Sequence, residues 1–87
     1  MTDLEFHLLD ELYFTIAFDE LMSRFEIKER PTARIELERM IRQNYVTQMT
    51  YHSSRNDYEK LDALDSKSLD KSYFVITKRG LMLHNSR

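Results

Sequence analysis

The 87-residue chain contains no cysteine. That excludes a disulfide scaffold and any thiolate zinc site, and it agrees with a reducing compartment. Gly80 is its only glycine, so no glycine-rich loop can cradle a phosphate. It has no run of about 18 apolar residues, which excludes a membrane-spanning helix. The first residues, Met-Thr-Asp-Leu-Glu, carry acid where a secretory signal would carry base, so the expected location is the cytoplasm. No nucleophile motif is visible. His7, His52 and His84 form no pair at helical spacing, and a zinc site would need three or four converging ligands. The reading is of a chain that is not an enzyme and holds neither metal nor cofactor. Asp3, Glu5, Asp10 and Glu11 read as a solvated acidic face, because a chain this short has little room for a catalytic cleft.

What is present is charge. The formal net charge is only −2, but it is unevenly placed. Residues 1–30 carry eight acids and three bases, whereas residues 73–87 carry three bases and no acid. Between them, residues 31–51 carry a net +1 and residues 52–72 a net −1. Any basic face must therefore be assembled from residues 34–42 and 78–87.

The length suits a single domain, residues 1–87. Thr2-Asp-Leu-Glu5 is a capping box, and the apolar spacing behind it predicts a first helix over residues 3–14. Phe18, Leu21, Met22 and Phe25 predict a short second helix over 18–26. Pro31 fits the first turn of a third, 31–43, with Ala33, Leu37, Met40, Ile41 and Asn44 on one face. Tyr45–Tyr51 and Tyr73–Thr77 read as strands that pair antiparallel. The polar stretch from His52 to Ser72 is either a mobile loop or a loop with a short helical turn capped at Asn56 and running through Leu61 and Leu64.

Three helices, a strand, a long loop and a strand resemble the winged helix-turn-helix domain of bacterial transcription regulators. The resemblance is carried by "PTARIELERMIRQNYVTQM", like that family's third helix entering its first wing strand. In it, Asn44-Tyr45-Val46 stands where the family often has glycine, an apolar residue and valine. "YFVITKRGLMLH" is similar to the second wing strand and its Thr-x-x-Gly turn. The implied fold class is α+β: three helices, a two-stranded antiparallel wing with a long loop at 52–72, and a short terminal helix. Thr77 would cap that last helix, and Gly80 would allow a close backbone approach.

The resemblance implies a small DNA-binding protein, a transcriptional regulator. Thr32, Arg34, Arg39 and Arg42 would face the major groove, and Arg55, Lys60, Lys78 and Arg79, with Arg87, would hold phosphates. The same helix also reads as a solvated face, since Arg34–Glu38 and Glu38–Arg42 have ion-pair spacing. The acidic loop departs from the basic wing expected of a DNA reader. The second reading is therefore a winged-helix module that binds a protein, or itself, and not DNA. A continuous positive stripe on the third helix favours the first reading. Neutralised arginines and exposed apolar side chains favour the second.

Overall fold

The computed structural model describes residues 1–86. Arg87, one of the basic residues considered above, lies outside them. Helix α1 (Asp3–Glu11) starts at the capping box: Glu5 N donates to Thr2 Oγ1 at 3.1 Å, and Thr2 N donates to Glu5 Oε1 at 3.0 Å. It stops three residues short of the expected end. Ile76 N donates to the Leu12 carbonyl at 2.8 Å, and the chain turns there to form strand β1 (Ile16–Ala17). Tertiary pairing overrides the helical spacing of Tyr13 and Ile16.

Helix α2 (Phe18–Met22) buries Phe18, Leu21 and Met22 and gives way to turns before Phe25. There the Arg30 guanidinium donates to the carbonyls of Met22 at 3.0 Å and Phe25 at 3.2 Å. A 3₁₀ turn, Ile27–Glu29, leads into α3 (Arg30–Arg42), which has Pro31 in its first turn and buries Ala33, Leu37 and Met40. Asn44 is not on the inward face as expected. It takes φ 62° and reverses the chain, and Tyr45 N reaches back to the Met40 carbonyl at 2.9 Å. Asparagine tolerates this left-handed conformation better than most side chains, which makes it a working substitute for glycine at a helix end.

Three further strands follow: β2 (Val46–His52), β3 (Asp57–Lys60) and β4 (Tyr73–Ile76). The sheet is antiparallel throughout, in the order β1-β4-β2-β3. Two strands are expected from the sequence, and the described residues form four. The expected pairing of β2 with β4 is there, in the register Val46↔Ile76 and Gln48↔Phe74. The stretch 52–72 contains no helical turn at Asn56. Asn56, at φ 50°, closes a hairpin that brings Tyr58 opposite Tyr51.

The rest of that stretch is anchored by Gln48, which is 1% exposed. Its amide donates to the Asp65 carbonyl at 3.0 Å and to Ser72 Oγ at 2.9 Å, and its carbonyl accepts from Asp65 N at 3.0 Å. A 3₁₀ turn, Ser66–Lys71, then drops Leu69 into the core. Register divides the strand side chains between two faces. Ile16, Val46, Gln48, Phe74 and Ile76 face the helices. Ala17, Thr47, Met49, Tyr51, Tyr58, Lys60, Tyr73 and Val75 face the other way.

Helix α4 (Lys78–Asn85) begins at Thr77, whose hydroxyl accepts from Gly80 N at 3.0 Å and donates to the Asn44 carbonyl at 2.7 Å. Both the cap and the close approach at Gly80 follow the sequence reading. A Cβ on Gly80 would overlap the Tyr45 carbonyl oxygen and come within 2.7 Å of Ile76 Cγ1. The helix closes onto α1, where the His84 ring stacks on Phe6 at 4.4 Å and shares a 2.7 Å hydrogen bond with Tyr13 Oη. Among the described residues no helix is long and apolar enough to cross a membrane.

Candidate functional site

Two surfaces concentrate chemistry: the outer side of α3 with the start of α4, and the open face of the sheet. On α3, Thr32 is exposed in the first turn. Arg34 lies 3.5 Å from Glu38, donates to the Ser66 carbonyl at 3.3 Å, and sits 5.5 Å from the centre of the Phe18 ring. Arg42 lies 3.5 Å from the other oxygen of Glu38. Both i,i+4 pairs read from the spacing are therefore formed.

Arg39 is the most committed of the three. It donates to Glu36 at 2.8 Å and to Gln43 at 2.7 Å, and a third bond runs to Glu5 on α1. It thus ties α3 to the capping box of α1. The spacing could not show this, because Glu5 and Arg39 are distant in sequence. Burial pushes the Glu5 carboxyl up, but the hydrogen bonds from Thr2 and the Arg39 guanidinium outweigh it and hold the carboxyl below the ordinary glutamate range. Arg39 is correspondingly raised, chiefly by its hydrogen bond to Glu36.

A folded-state value below the unfolded one means stability that is present at neutral pH and lost as pH falls through the Glu5 range. Glu5→Gln keeps the capping geometry and removes the charge. Because the pair is partly solvated, the variant should lose no more than about 1 kcal/mol at pH 7. Its stability should also fall less steeply than the wild type's below about pH 5. Urea midpoints measured from pH 7 to pH 3 check this, and parallel curves would remove Glu5 from the acid response.

The remaining basic residues do not form one stripe. Arg79 donates to the Gln43 carbonyl at 3.1 Å and to Tyr45 Oη at 3.3 Å, with its guanidinium 4.6 Å from the Tyr45 ring centre. It therefore satisfies the end of α3. Lys78 beside it is exposed and has no ion pair among the described residues. With Tyr45, Met82 and Leu83 the two line a shallow groove. Arg55 lies in the hairpin turn, 4.0 Å from Glu59. It is separated from α4 by the length of β2, about 20 Å at the usual rise per residue. Lys60 ends β3, exposed and without an ion pair among the described residues.

The open face of the sheet carries a cluster that the sequence reading did not assemble. The rings of Tyr51 and Tyr58 are 5.1 Å apart, Tyr58 and Tyr73 5.2 Å, and Tyr51 and Tyr73 6.2 Å. Alternation in the two recognised strands places Tyr51 and Tyr73 on one side. Tyr58 joins them only once β3 is known to pair with β2. Among the described residues no three histidines or carboxylates converge as a metal site. Comparison with models of protein families, with curated protein sequences and with solved structures finds no match for this chain.

Proposed function

We propose that the chain is a winged-helix module that works by binding a protein, not by reading duplex DNA. The order of helices and the antiparallel pairing of β2 with β4 support the winged-helix reading. One observation carries the choice of partner: each arginine on the outer side of α3 is paired with an acid of the same chain. Glu36 and Glu38 would face phosphates, and freeing Arg39 would break its links to α1. The exposed apolar side chains of Ile35 on α3, at 64%, and of Ile27 in the turn before it, at 76%, suit a protein surface. Lys78 and Arg79, with no acid beside them, are what a DNA reading rests on.

Anisotropy of a labelled random duplex, titrated from low to physiological salt, separates the two. The expected result is no binding at physiological salt. Any binding at low salt should have a log–log slope of no more than about −2, the share of Lys78 and Arg79. Glu38→Gln releases Arg34 and Arg42 and should steepen the slope. Tight wild-type binding at physiological salt, with a slope of about −5 or steeper, would restore the DNA reading and remove the protein one.

A further inference from the structure

The open side of the sheet is chemically unlike the rest of the molecule. In a chain of net charge −2, no strand position on this face is acidic. Asp57 and Glu59 point to the opposite side, where Glu59 Oε1 lies 2.8 Å from His52 Nε2. Tyr51 is 39% exposed and Tyr58 42% exposed, and Met49, paired with Tyr73 across the sheet, is buried at 5% outside the main core cluster. The cations at this end, Lys60 on the face and Lys71 two residues before Tyr73, are exposed and have no ion pair among the described residues.

The fit is to a polymer that offers flat aromatic rings and negative charge together. Aromatic side chains on an antiparallel sheet stack two or three unpaired bases, and nearby lysines neutralise the linking phosphates. A strand-adding peptide fits worse, because one edge, β1, is only two residues long and the other, β3, is guarded by the charged side chains of Asp57, Glu59 and Lys60.

We propose that this face binds single-stranded nucleic acid, with bases stacking on Tyr51, Tyr58 and Tyr73 and phosphates meeting Lys60 and Lys71. The site goes beyond the protein-binding reading and lies on different elements from α3, so the two stand or fall separately. Nothing on the face reads the sugar, so RNA and DNA strands should bind alike. A duplex, whose bases are already stacked, should not bind there.

The chain has no tryptophan, and three of its five tyrosines lie in this cluster, so much of its own fluorescence arises there. Titration with ten-nucleotide oligo-dT and oligo-rU at low salt should quench it, with affinities for the two within about threefold. Tyr58→Ala should weaken binding roughly tenfold or more, whereas Tyr58→Phe, which keeps the ring, should change it less than threefold. Lys60→Gln, which leaves the hairpin packing intact, should lower the salt slope by about one. Four results would overturn the proposal: no binding of either strand, equal binding of a duplex, no effect of Tyr58→Ala, or a tenfold preference for one sugar. A dimer in sedimentation velocity that Tyr58→Ala dissolves, without oligonucleotide binding, would assign the face to a second copy instead.

Discussion

Gly80→Ala is expected to lower the melting temperature by roughly 12–24 °C, from a loss of about 3 kcal/mol in a domain of this size. Alanine is the better helix former by close to 1 kcal/mol, and on an exposed turn it would stabilise. Here the added methyl meets the Tyr45 carbonyl oxygen, which is backbone and already accepts from Thr77 N at 3.0 Å. The second obstacle, Ile76 Cγ1, belongs to a side chain packed into the core. Neither can withdraw without opening the joint between α3, β2 and α4, so the clash outweighs the propensity. Met82→Ala, on the exposed side of the same helix, should stay within about 0.5 kcal/mol of wild type. Thermal unfolding followed by circular dichroism compares the two, and a Gly80→Ala loss under about 1 kcal/mol would show that α4 can shift outward at little cost.

Gln48→Leu is expected to cost about 2–3 kcal/mol, mostly through the groups it abandons. Leucine fills much the same volume, so packing is not the main loss. Ser72 Oγ keeps its bond to the Ser68 carbonyl at 2.8 Å but loses its donor, and Asp65 loses partners on both its N–H and its carbonyl. Because these bonds fasten residues 61–72 to the sheet, the loss should first appear locally. Amides of that segment should exchange faster and a protease should cut there before global unfolding. Gln48→Glu should behave as badly at neutral pH, since a carboxylate donates to neither Asp65 O nor Ser72 Oγ. It should recover in part as pH falls and the buried acid takes up a proton. Uniform exchange across the chain in Gln48→Leu would show that Leu69 and the Arg34 bond to the Ser66 carbonyl hold the segment without it.

Apart from the pairing of β2 with β4 and the close approach at Gly80, the features that sequence reasoning reached are set by neighbours in sequence. The Thr2–Glu5 box, Pro31 in the first turn of α3, the Thr77 cap and the two Glu38 ion pairs each involve residues within four positions of one another. The features it missed are decided by distant parts of the chain. Tyr13 has helical spacing behind α1, yet the Leu12 carbonyl is claimed by Ile76 and the helix ends. A two-residue strand such as β1 has no period to detect. Asp57-Tyr-Glu-Lys60 is polar at three of four positions and becomes a strand only because β2 lies beside it. The fate of Arg39 follows the same rule. Its pairing with Glu36 was within reach of the spacing, but its tie to Glu5 depends on α1 packing across α3.

The sheet order has a consequence in time. β4 is the last strand in sequence but sits between β1 and β2, with Ile16 paired to Phe74 and Val46 to Ile76. At about 5–20 residues per second, a growing chain offers Ile16 to solvent for several seconds before its partner has been synthesised. Until then the core that Leu8, Leu9 and Leu12 share with Phe74 and Ile76 is incomplete. The four-stranded sheet therefore closes late, when β4 arrives, and a nascent chain stopped before Tyr73 should still expose the sites β4 covers.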